Sequence, residues 1–236
     1  MAGRHCCRRM WVLGGVFVWA GLAADAVGQV SAATDRAALE AIYRATGGDD
    51  WTNNTSWLSN APLEDWYGVE VTDGRVTGLR LGGWDETARR HVDNGLTGSL
   101  PAELGTLSQL RWVEIGGNSG LTGRIPAELG NLARLESLNL QSNSLTGSIP
   151  AALGHLTELE FLGLDSNSLT GSIPAELGNL SRPRLLGFSG NLLSGPLPPE
   201  FGNLTSLADL GLSYTMLSGP LPESLTGLSA LERLDV

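Results

Sequence analysis

The stretch Leu156-Thr-Glu-Leu159-Glu-Phe161-Leu162-Gly-Leu164-Asp165-Ser-Asn167-Ser-Leu169-Thr-Gly171-Ser-Ile173-Pro174-Ala-Glu-Leu177-Gly178-Asn179 is one turn of a pattern that fills most of this chain. From Leu132 onward the pattern recurs every 24 residues, with Leu132, Leu156, Leu180, Leu204 and Leu228 opening successive units. A fixed period of this length predicts a solenoid, in which each coil buries its apolar ridge only against its neighbours. Such an object is first of all a surface for binding.

Each slot of the unit has a physical task. Leu162 and Leu164 are spaced by two, so they share one face of a short strand and point inward, while Phe161, Gly163 and Asp165 point the other way. Stacking one strand per coil builds a parallel sheet. Asn143, Asn167 and Asn191 follow the strand, where a buried amide can satisfy the backbone groups that a turn leaves unpaired. Gly147, Gly171, Gly195 and Gly219 occupy a slot that needs close approach or positive φ. Pro126, Pro150, Pro174, Pro198 and Pro222 fix φ on the far side of the coil, where no helix ladder requires an N–H.

These residues carry a specific resemblance. The run Asn-x-Leu-x-Gly-x-Ile/Leu-Pro-x-x-Leu-Gly-x-Leu resembles the plant-type leucine-rich repeat of receptor-like kinases, receptor-like proteins and polygalacturonase inhibitors, over about Thr34 to Val236. The resemblance implies an α/β solenoid: a right-handed coil with a parallel sheet on its concave face, a convex side of short 3-10 or irregular segments, and a helical N-terminal cap.

The copies differ in informative ways. The first has Leu79 and Leu81 on its strand but reaches its Asn slot only at Asn94, after an insert spanning 84–93. The second carries one extra residue, Gly120, before Leu121. The fifth has Pro183 in a leucine slot, the sixth has Thr215 in the Asn slot, and the seventh stops at Val236 within its strand. About six and a half units therefore occupy residues 76–236. An incomplete last coil leaves an apolar ridge and a strand edge uncovered, which predicts end-to-end self-association or fraying there.

Residues 27–75 read as the N-terminal cap. Thr34 or Asp35 can cap a helix with Leu39, Ile42 and Tyr43 on one face, ended by Gly47-Gly48. Trp51, Trp57 and Leu63-Glu-Asp-Trp66-Tyr-Gly68-Val69-Glu-Val71 follow. This is similar to the cap segment Cys-x-Trp-x-Gly-Val-x-Cys of the same family, with Glu64 and Val71 in the two cysteine slots. Tryptophan burial and strand pairing must then replace a disulfide.

Residues 1–26 read as a signal peptide. Arg4, Arg8 and Arg9 precede the apolar run Met10 to Ala24, and Ala24-Asp-Ala26 offers small residues for cleavage. No second apolar stretch of spanning length exists, so no membrane span is expected in the mature chain. Both cysteines, Cys6 and Cys7, lie in the leader. The whole chain carries −10; its first 26 residues hold three arginines and one aspartate, a charge of +2, which leaves −12 on the remainder. That balance disfavours nucleic acid and anionic membranes, which need clustered positive charge.

Candidates for chemistry are few. No thiol remains after the leader, no phosphate-cradling loop with its lysine is present, and His155 fills a slot held elsewhere by Asn131, Asn179 and Asn203. His91, beside Asp85, Glu86 and Asp93 in the insert, is the one place where a metal or an acid–base pair could assemble; an ordinary surface excursion is the simpler reading. No catalytic residue, metal or cofactor is assigned. The outward strand positions instead give a candidate binding surface: Trp112 and Glu114, Asn139 and Gln141, Phe161 and Asp165, then Asp209. Trp112 and Phe161 stand two strands apart, roughly 10 Å, and exposed aromatics on a rigid sheet suit a protein hot spot or a sugar-stacking platform. The reading is a secreted or cell-surface recognition module, not an enzyme, that binds a protein, peptide or cell-wall glycan through its concave face. The alternative is a structural or adhesive fragment of a larger cell-surface protein.

Overall fold

The computed structural model describes residues 31–85 and 90–236. The expected leader lies outside these residues, and so do the side chains of Asp85, Glu86 and His91, while Asp93 Oδ1 accepts Gly95 N–H at 2.7 Å. The insert itself forms an antiparallel pair, Gly82–Asp85 with Arg90–Asp93.

The apolar slots dictate the main sheet. Eight strands line one face in the order Val69–Thr72, Arg75–Arg80, Trp112–Glu114, Ser137–Asn139, Phe161–Gly163, Leu185–Gly187, Asp209–Gly211 and Arg233–Asp235. The first pair is an antiparallel hairpin turned by Asp73 and Gly74, at φ 51 and 71, as a two-residue loop with both residues left-handed requires. All later pairings are parallel and keep one register, so Leu79, Val113, Leu138, Leu162, Leu186, Leu210 and Leu234 form one column. That column, with Ile115, Leu140, Leu164, Phe188 and Leu212, is the inner ridge of a continuous core.

The convex side consists of five-residue 3-10 turns, from Ala102–Thr106 to Glu223–Gly227. A proline precedes each turn, and its carbonyl takes the N–H three residues on, as Pro126 does from Leu129 at 3.2 Å. Pro183, the misfit in the leucine slot, is buried like the leucines it replaces.

Between the two sides runs a second set of parallel strands that the repeat pattern does not announce. Thr146–Gly147, Ser168–Gly171, Leu192–Gly195 and Met216–Leu217 form one such sheet, and Thr97–Ser99 pairs with Gly120–Thr122. Behind them the asparagines form a ladder. Asn167 donates through Nδ2 to Leu164 O in its own coil and to Leu140 O in the preceding one, both at 3.0 Å, while its Oδ1 accepts Leu145 N–H. Asn118, Asn143 and Asn191 likewise bond both within their coils and to a coil before. Thr215 reaches only Leu212 O of its own coil, at 2.7 Å, among the bonds its hydroxyl makes.

The cap is helical, through residues 31–45, and Leu39, Ile42 and Tyr43 are buried as their spacing implies. Thr34 and Asp35 lie within the helix rather than at its cap. Asp35 is fully buried because it serves the hairpin: Arg75 grips it with two bonds of 2.8 and 2.9 Å, and Val76 N–H donates a third at 2.9 Å. Tyr43, Trp51, Trp57 and Trp66 pack ring to ring at centroid distances of 4.9 to 5.8 Å. The Arg36 guanidinium sits 4.8 Å above Trp66. Aromatic packing thus holds the cap, as expected from a segment with Glu64 and Val71 in its two cysteine slots.

Candidate functional site

The concave residues are held by a device that begins with glycine. Gly78, Gly163, Gly187 and Gly211 occupy outward strand positions, and each is covered by a neighbouring side chain. The Trp112 indole lies over Gly78 on the next strand, the Phe161 ring folds over Gly163 of its own strand, and the Asp165 carboxylate lies over Gly187. A Cβ on Gly163 would stand 2.9 Å from the Phe161 ring edge. Trp112, Phe161 and Asp165 therefore lie against the sheet rather than standing away from it.

The electrostatics divide along this face. At the cap end Arg80 stacks 5.2 Å over the Trp112 ring and approaches Glu114 Oε2 through its Nε at 3.2 Å. That oxygen makes no aligned hydrogen bond, so the contact with Arg80 is one of charge rather than of a directed bond. Arg111 pairs with Glu136 at 2.7 Å, and Arg233 with Asp209 at 3.4 Å. In the middle, Asp165 Oδ1 accepts Ser189 N–H at 2.9 Å. Burial pushes the Asp165 carboxyl above its ordinary value, and the charge of Asp209 adds to the rise, against the lowering effect of the Ser189 bonds.

The expected contact residues share this sheet, with one exception in character. Trp112, Glu114, Gln141, Phe161, Asp165 and Asp209 are all partly exposed along it. Asn139 lies in register with Glu114 and Gly163 but is only 6% exposed, and its Oδ1 accepts Gln141 N–H at 3.1 Å. Its burial and the bond to its amide oxygen correct its place among the displayed residues. Leu185, beside Phe161 in register, is half-buried on the same face and extends the apolar strip; its outward slot next to two leucines was the available signal. Among the described residues no group of three or more His, Cys, Asp or Glu is placed to hold a metal ion, and no helix is long and apolar enough to cross a membrane.

Comparison with known proteins agrees with this geometry. Family profiles for the leucine-rich repeat match residues 108–169 and again 183–204. The solved PEPR1–AtPEP1 complex is similar with a TM-score of 0.76 and 29% identity, over 85% of this chain and 27% of that one. The chain is a leucine-rich repeat protein of the plant type. The Arabidopsis receptor kinase HAESA, solved in complex with the peptide hormone IDA and the co-receptor SERK1, gives a TM-score of 0.74 and 28% identity over 86% of this chain and 33% of that one. A plant ice-binding protein gives 0.71 and 33%, over 81% of this chain and 59% of that one. This repeat protein thus spans less than two thirds of the length of each of these three neighbours. No curated protein matches it in sequence.

Proposed function

We propose that the repeat protein is an exported recognition module that holds an extended peptide or protein segment across its concave sheet and carries out no chemistry on it. The observation behind this reading is the flat strip of Trp112, Phe161 and Leu185, bordered by Glu114, Gln141, Asp165 and Asp209. Side chains already pinned over glycines lose little freedom when a ligand arrives, so ordering costs fall mainly on the ligand. Aromatic anchors with a polar border are the usual composition of a binding hot spot. The likeness to HAESA, solved with a peptide hormone, supports a peptide, and the arginine-headed apolar leader supports export. Peptides selected from a random linear library on the immobilised protein should lose binding to the Trp112→Ser, Phe161→Ser double variant. They should keep it in the convex-side double variant Glu128→Ser, Glu176→Ser. Selected peptides that ignore the concave pair would overturn the assignment.

A second reading has its own observation. Thr97, Thr122, Thr146, Thr170, Ser194 and Ser218 place one exposed hydroxyl per coil along the side strands. Their strands repeat at about 4.8 Å, a regular lattice suited to ordering water. The likeness to the plant ice-binding protein favours contact of this face with ice. Inhibition of ice recrystallisation by the protein, lost in Thr146→Arg, Thr170→Arg, is the expected result; no inhibition at any concentration would remove this reading.

A further inference from the structure

We infer that the concave site selects a ligand segment with a cationic side chain, its aliphatic stem on the Phe161 ring and its ammonium or guanidinium head on the Asp165 carboxylate. This rests on the concave-face reading above and names the chemistry it recognises. The Phe161 ring edge covers Gly163 and the Asp165 carboxylate covers Gly187. Those glycines are register partners on adjacent strands, about 4.8 Å apart. An apolar surface and an anionic group at that separation match the two halves of a Lys or Arg side chain.

The acid at the centre of this face also lacks the cationic partner that several acids on and beside it have. Glu114 faces Arg80, Glu136 faces Arg111, Glu158 faces Arg182 and Asp209 faces Arg233. Among the described residues no cation pairs with Asp165, whose carboxylate meets the backbone and side chain of Ser189, its own backbone and the glycine floor. The strands on either side place Gln141 and Ser189 beside it, both uncharged, and the next ionised group along the sheet is Asp209, a second anion. A half-buried carboxylate that pays desolvation without a counter-ion gains most from a ligand that supplies one. The same field repels acidic segments.

Peptides whose binding depends on Trp112 and Phe161, taken from the library selection and resynthesised with blocked ends, provide the probe. They should carry at least one Arg or Lys. Replacing that Arg by citrulline, or Asp165 by Asn in the full chain, should raise Kd about tenfold or more, while Asp165→Asn leaves the fold at least as stable at pH 7. Concave-dependent peptides without a basic residue, or with Kd unchanged in Asp165→Asn, would overturn this inference and leave the concave reading standing. Absence of any concave-dependent peptide would overturn both.

Discussion

The indole of Trp112 lies flat on Gly78, so the identity of one strand residue decides the posture of the next strand's largest side chain. Gly78→Ala puts a Cβ where the ring now rests, and the strand backbone cannot give way. The ring must lift, which breaks its contact with Arg80 and costs about 1–3 kcal/mol by overpacking. Calorimetric melting should show the loss, and Trp112→Ser on the same background should recover most of it. Gly227→Ala, where nothing stands within 4 Å, serves as the neutral comparison.

The period of the leucines makes the coil, the sheet and the buried asparagines readable in the sequence, because each is local and repeated. The glycine floor is not readable in that way. Gly163 and Gly187 occupy a slot that holds Glu114, Asn139 and Asp235 in other coils, and only the neighbours that lie over the glycines show why the slot is empty there. Asn139 misleads for the opposite reason, since its outward slot predicts exposure while its amide folds back onto Gln141. Asp35 and Arg75 stand 40 residues apart, with no local signal to join them. The side strands escape because segments as short as Thr146–Gly147 carry no alternation to detect.

Trp66 is 1% exposed at the centre of the aromatic cap, between Trp57 and Arg36. Trp66→Ala should cost about 3–5 kcal/mol. Its Nε1–H is buried without an acceptor, so Trp66→Phe, which removes that donor and keeps most of the ring, should cost well under half as much. Reducing agent should shift neither melt, because Cys7 is the last cysteine in the sequence. Near wild-type melting of Trp66→Ala would show that the cap is held in another way.

Asp35 ties the cap helix to the first hairpin through three bonds with no solvent around its carboxylate. Asp35→Ala strands the Arg75 guanidinium and the Val76 N–H together, and should cost about 3–5 kcal/mol. Hydrogen exchange should then rise first in the helix through residues 31–45 and in Arg75–Arg80, ahead of the central coils. Uniform exchange along the whole solenoid would contradict a local tie.

The asparagine ladder stops at Thr215, whose hydroxyl donates to Leu212 O but does not reach the preceding coil as Asn191 reaches Leu164 O. Thr215→Asn should restore that bond, to Phe188 O, by the equivalence of the two coils. A net gain of about 1 kcal/mol is expected for a buried amide bond, read as slower exchange in the coil around Asp209–Gly211. Unchanged or faster exchange there would mean that the last coils do not hold the geometry of the central ones.

Asp165 gives the pH dependence its sign. Burial, then the nearby Asp209 charge, raise its carboxyl in the folded chain, against the Ser189 bonds that lower it. The folded chain therefore holds more protons than the unfolded one between the ordinary carboxyl value, about 3.9, and the raised folded value. Stability contributed by this group is greatest below that window and falls as pH rises through it. Asp165→Asn removes the charge and keeps an oxygen for the Ser189 N–H. The variant should melt at or above the wild-type temperature at pH 7, with the difference shrinking toward pH 3, as thermal scans across that range will show. A variant less stable at pH 7 would mean that the carboxylate is better solvated on its glycine floor than its burial implies, and that a cationic ligand has less to gain there.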